Sequence, residues 1–221
     1  MLAEFSASPH KNTDDLIKAL AEDLTVRWPL NRVLGIAMVV GALIAGALFV
    51  LSLGFRPDFS QALQTVRFSF KFVVTVTLAV TAMGLLLRMA RPAAPLGPWS
   101  RALAAAPVLL GLAVLAELLA MPETTWGARL VGSNALVCLV AIPSLATGPL
   151  ACLLIALRYG APMRPGLTGA VAGLAASGIA ATFYASHCPD DSPLFVATWY
   201  SIATALVVLV GCAAGTKWLK W

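Results

Sequence analysis

Six apolar stretches, each about twenty residues long, fill most of this 221-residue chain. About twenty helical residues are what it takes to cross a hydrocarbon core about 30 Å thick. The stretches run Val33–Leu53, Ser69–Arg88, Arg101–Ala120, Asn134–Leu157, Leu167–Ala185 and Phe195–Gly215. With 60% hydrophobic and 11% charged residues and a mean hydropathy of +0.88, the chain has too little charge for a soluble domain of its size. The expected fold is therefore an all-α integral membrane protein in two parts: a cytoplasmic N-terminal segment, residues 1–32, and a six-helix transmembrane domain, residues 33–221. The first apolar run starts well past the N-terminus and is long enough to span, so it reads as a transmembrane helix and not as the short h-region of a cleaved signal.

The Lys and Arg residues of the connections set the expected orientation, because cytoplasmic loops carry the excess. With the N-terminus inside, Lys11, Lys18, Arg27, Arg32, Arg88, Arg91, Arg101, Arg158, Arg164, Lys217 and Lys220 fall in the cytoplasm. Only Arg56, Arg67, Lys71 and Arg129 fall outside, 11 against 4 of the 15 in the chain. Both termini are then cytoplasmic. The formal net charge of +5 follows from this topology. It forms no basic stripe interleaved with aromatics, so direct nucleic-acid binding is not expected. Short connections, including the Pro- and Gly-rich Met89–Ser100 and Tyr159–Gly166, predict that successive helices pack as three antiparallel hairpins.

Two helices carry distinctive patterns. In the fifth, Gly169, Gly173, Ser177 and Ala181 recur every four residues and make one thin face, which lets a neighbouring helix approach closely in lipid. In the fourth, Pro143 and Pro149 each remove an N–H and crowd the carbonyl four residues earlier, so a kink or local unwinding is expected.

In the N-terminal segment, Thr13 is placed to cap a helix opened by Asp14 and Asp15, whose charges suit the positive end of the dipole. Leu16, Ile17, Leu20 and Leu24 then share one face. So short an amphipathic helix gains stability by burying that face. Residues 11–24 carry two lysines against four carboxylates, a net of −2. Such a helix is a poor match for an anionic leaflet and a better one for a groove on a basic protein. Rest on the inner leaflet or packing on the bundle remains the other reading.

The last external loop reads His187-Cys188-Pro189-Asp190-Asp191-Ser192-Pro193. Cys138, one turn into helix four, lies at a similar depth. Cys152 lies fourteen residues further along, about 21 Å deeper, and Cys212 also falls in the inner half. A disulfide between Cys138 and Cys188 fits this placement. So does a soft-metal site with His187, Cys188, Asp190 and Asp191 as candidate donors, or a buried small residue beside a capped turn. There is no CxxC, no HxxxH, no phosphate loop and no nucleophile elbow, and His10 and His187 are assigned to opposite sides. The one clear acidic group within a span, Glu117, sits near the outer end of helix three, within range of Arg129. The chain does not read as an enzyme, and no cofactor is implied.

Four blocks together resemble the NrsF-type family: Thr13–Leu24, Leu53–Asp58, Leu157–Pro165 and, most specific of all, Tyr184–Tyr200 with its His-Cys-Pro-Asp-Asp-Ser-Pro and Trp-Tyr. The resemblance covers nearly the whole chain. It implies a six-helix inner-membrane anti-sigma factor, a negative regulator of an extracytoplasmic-function sigma factor. The cytoplasmic N-terminal segment would hold the sigma factor through Asp14, Asp15, Leu16, Ile17, Leu20 and Leu24. A periplasmic thiol-reactive stress, heavy-metal or oxidative, would release it. The family's paired cysteines would map onto Cys138 and Cys188, while Cys152 and Cys212 match no family position. The alternative is a small-solute or metal-ion transporter using the outer Cys/His/Asp cluster. Sparse polar content within the helices and the lack of an internal repeat weigh against it.

Overall fold

The computed structural model describes Ile17, Lys18 and residues 28–219. Among the described residues the chain is helical, with no strand, and six helices are long and apolar enough to cross a membrane. We label them α1 (Leu30–Ser52), α2 (Val66–Met89), α3 (Trp99–Ala120), α4 (Ala135–Leu157), α5 (Pro165–Ala185) and α6 (Pro193–Trp218). Each overlaps one expected stretch. Of the residues in the expected N-terminal amphipathic helix, Ile17 and Lys18 are helical and exposed, while Asp14, Asp15, Leu16, Leu20 and Leu24 lie outside the described residues.

Local chemistry explains several boundaries. The Thr65 hydroxyl accepts from the Phe68 N–H and caps α2. Proline stands in the first turn of both α5 and α6, where its missing N–H has no partner to lose. Gly132 precedes α4 with φ +60, and a Cβ there would collide with the Phe195 ring. Of the kink or local unwinding expected in helix four, the unwinding is absent: the α-helix runs unbroken through Pro143 and Pro149.

Helix α5 occupies the centre, packing on α6, α2, α4 and α1. Its small-residue face serves that packing. A Cβ at Gly173 would lie 2.9 Å from the Val207 carbonyl oxygen of α6; on a separate face of α5, one at Gly178 would lie 2.6 Å from the Ala79 nitrogen of α2. Gly169 is seated against Gly211 and Gly215, so the stripe on α5 meets a matching stripe on α6. In lipid, where apolar side chains gain little from leaving their surroundings, such backbone approach supplies the attraction. Gly169→Val should therefore lower the thermal midpoint of the solubilised protein, by a destabilisation of at least about 1–3 kcal/mol, because backbone atoms have no rotamer to escape into.

Of the three expected hairpins, only the last has its two helices packed together: α5 meets α6, whereas α1 packs mainly on α4, and α3 packs on α2 and not on α4. A short connection fixes where two helix ends lie; it does not fix which faces meet. Here α1 and α2 flank an apolar cleft that is also lined by Ile179, Thr182 and Phe183 of α5. Helix α3 lies at the periphery, with Ala106 and Glu117 its buried residues.

Candidate functional site

The polar residues of the bundle converge at the end where α1, α3 and α5 finish and α2, α4 and α6 begin. Their focus is the connection Ser186–Ser192. Helix α5 closes with the His187 and Cys188 N–H groups both donating to the Tyr184 carbonyl at 3.0 Å, and Pro189 cannot extend the helix. At the far side the Ser192 hydroxyl accepts from the Leu194 N–H at 3.2 Å and caps α6.

Together the residues of this loop are bonded to the connection after α1, to α2, to α3 and to the start of α4. The Ser186 carbonyl accepts from the Arg56 N–H at 3.2 Å, and His187 Nδ1 lies 3.1 Å from the Gly54 carbonyl, just past α1. The Cys188 carbonyl accepts from Lys71 Nζ of α2 at 2.8 Å. The Asp190 carboxylate accepts from the Ser133 and Asn134 N–H groups at 3.1 and 2.9 Å, capping α4 from outside its own chain segment. The Asp191 carboxylate pairs with Lys71 and Arg56. The Ser192 hydroxyl donates to Glu117 Oε2 of α3 at 2.7 Å. Glu117 also accepts from Arg129 at 3.1 Å, the contact expected from the sequence, and from the Leu194 N–H at 3.3 Å. A buried carboxylate of α3 thus sits at the positive end of α6.

Two cations organise the cluster. Arg56 holds Asp58 in a bidentate pair, both bonds 2.7 Å, and reaches Asp191 with its remaining nitrogen. Its hydrogen bond to Asp58 holds the guanidinium above its ordinary range, burial opposes this, and Asp191 adds to the rise. The same bond holds Asp58 below the usual carboxylate range. Lys71 is only 1% exposed. Its ammonium lies 5.2 Å from the Phe68 ring centre, and the Arg56 guanidinium 5.5 Å from the same ring.

Cys138 and Cys188 are both fully buried here and both carry free thiols. Both belong to one buried cluster, and the Cys188 thiol lies 4.0 Å from the Asp190 carbonyl oxygen. Burial pushes the Cys188 thiol up, and the Lys71 charge pulls it back. The Tyr184 and Tyr200 rings meet at a tilt, their centres 5.6 Å apart and their planes 52° from parallel. A polar cleft of about 510 Å³ between Arg67, Thr125, Arg129, Asp190 and Asp191 opens onto the loop. Cys152 and Cys212 are half-buried elsewhere, Cys212 beside Gly166 at the start of α5.

The candidate metal donors are near in sequence but serve separate partners: His187 faces Gly54, Asp190 faces α4, and Asp191 faces Arg56 and Lys71. Among the described residues no group of three or more His, Cys, Asp or Glu side chains is placed to hold a metal ion. Sequence reasoning misses Lys71 as a buried group. A signal for it is present, since a lysine flanked by Phe70 and Phe72 inside an apolar run has little water to reach.

These features define a multi-pass helical membrane protein whose polar groups tie one loop to the surrounding helix ends. The chain matches the family described as NrsF, negative regulator of sigma F, over residues 20–221, and it belongs to that family. It is 35% identical to the anti-sigma-F factor NrsF of Caulobacter vibrioides (strain NA1000 / CB15N) over 222 residues, 95% of this chain and 99% of the relative. It is 31% identical over 212 residues, with the same coverage, to the probable anti-sigma-F factor NrsF of Azospira oryzae (strain ATCC BAA-33 / DSM 13638 / PS). No solved structure matches. The family is one of regulators and not of enzymes, and it does not favour the transporter alternative.

Proposed function

We propose that this NrsF-family anti-sigma factor sits in the bacterial inner membrane with both termini in the cytoplasm. There it holds an extracytoplasmic-function sigma factor through the apolar face of its N-terminal segment, with Leu16, Ile17, Leu20 and Leu24 as anchors and Asp14 and Asp15 at the helix start. A thiol-reactive stress, heavy-metal or oxidative, acts at Cys138 and Cys188 on the periplasmic side, and the sigma factor is released. The observation that carries this reading is the loop itself: the stretch around Cys188 is bonded to Lys71 of α2, to Glu117 of α3, to Gly54 just past α1 and to the residues that open α4. Chemistry at Cys188 is therefore mechanically connected to the whole bundle. The orientation is supported by the 11-to-4 distribution of Lys and Arg.

The direct test is co-purification of a sigma factor with the gently solubilised full-length chain, before and after exposure to a thiol-reactive agent. Recovery before and loss after is the expected pair of results; absence of any sigma factor in the unstressed sample would overturn the reading. For orientation, a reporter active only outside the cytoplasm should work when fused near Asp58 or Glu123 and fail at Trp99, Arg164 or Trp221. Activity at Trp221 would reverse the assigned sides.

A further inference from the structure

Lys71 is the charged side chain least suited to its surroundings. It lies in the second turn of α2, inside a span, and is 1% exposed. An ionisable group in such a place is strongly unfavourable unless it is paired, and within a membrane it marks function more often than structure. The other bonds to the Ser186–Ser192 loop come from helix ends or from connections: Gly54, Arg56, Ser133, Asn134 and Glu117. Lys71 differs in reaching the main chain of Cys188 itself, and it is clamped there by Asp191.

At the opposite end of α2, about 29 Å away along the axis, the Ala90 carbonyl accepts from the Ala161 N–H at 3.3 Å. Ala90 also packs on Gly160, which lies against Leu30 at the start of α1. The next residue, Arg91, donates to Asn31 of α1 at 2.8 Å. Asn31 lies at the root of the N-terminal segment. One unbroken helix therefore has a buried bond to Cys188 at one end and a bond to the start of α1 at the other.

We propose that Lys71 is a positioning residue that couples Cys188 to the N-terminal segment through α2 moving as a rigid rod. The proposal rests on the thiol-triggered release described above. A displacement of the Cys188 main chain pulls its carbonyl from the Lys71 ammonium. The change in α2 then reaches Asn31 and the N-terminal segment it anchors.

The test uses the full-length chain in cells, with transcription from a promoter of its partner sigma factor as one readout. Methyl methanethiosulfonate serves as probe: the thiolate sulfur takes the methylthio group, methanesulfinate leaves, and the thiol proton goes to solvent. Membrane abundance, sigma-factor co-purification and the thiol state are measured in parallel. Lys71→Met should insert, bind the sigma factor and react with the probe as the wild type does, yet its induction should fall at least about fivefold, the scale of an ordinary coupling energy. Lys71→Arg should recover most of it. The exposed Arg91→Ala should weaken induction in the same direction. Full induction in Lys71→Met, or its loss only because the thiols no longer react, would overturn the proposal, as would wild-type induction in Arg91→Ala. Should Lys71→Met fail to accumulate, Arg91→Ala decides. Full induction in a chain with serine at both 138 and 188 would instead remove the thiol reading itself, and it would do so whatever the α2 variants show.

Discussion

Leu16→Asp combined with Leu20→Asp is expected to abolish capture of the sigma factor while leaving the protein in the membrane at its normal level. Both leucines belong to the apolar face of the N-terminal segment, which reads as a helix with an acidic polar side. Burying a leucine contributes about 1.5–3 kcal/mol, so losing both anchors should weaken binding at least about a hundredfold. The charges introduced add a desolvation cost in the same direction. Pull-down at wild-type level by the double variant would show that these residues are not the contact. Insertion should be unaffected, because the six spans begin at Leu30.

The second large effect is expected at the thiols. Cys138→Ser and Cys188→Ser should each leave the chain inhibitory but blind to thiol-reactive stress, with transcription from the sigma-dependent promoter staying at its unstressed level. Cys152→Ser and Cys212→Ser should respond like the wild type, since neither lies at the loop. A serine hydroxyl nearly keeps the volume of the thiol but lacks its nucleophilicity. Full induction in the Cys138/Cys188 double variant would reduce the pair to packing.

The sequence discloses the spans because a hydrocarbon core imposes a length on each, and length is written directly in the chain. It discloses the close packing of α5 because small residues at a four-residue interval have one geometric meaning. It pairs Glu117 with Arg129 because both sit near one membrane boundary. The neighbour relations are less legible. That α1 lies against α4 depends on complementary shape at points such as Gly41 on Pro149, and shape complementarity between distant segments leaves no periodicity to read. Sequence alone counts Lys71 among the external basic residues because it falls near the start of a span. Its burial follows from where Asp191 and the Cys188 carbonyl arrive in three dimensions. The acidic pair Asp190–Asp191 looks like one site in sequence, but adjacent side chains of an extended loop point apart, one to cap α4 and the other to meet two cations.

Connections between helices are ordinarily where a protein tolerates change, since they lie on the surface and can be lengthened at small entropic cost. The Ser186–Ser192 connection forfeits that tolerance. Inserting one residue between His187 and Ser192 would shift Asp190 away from the start of α4, Asp191 from its cations, or Ser192 from Glu117, and no single local adjustment could restore all of them. The length of this stretch is therefore as constrained as that of a core helix. An affinity tag or engineered insertion belongs instead at the Pro- and Gly-rich turn between α2 and α3, where the exposed run Pro95–Pro98 is the permissive choice.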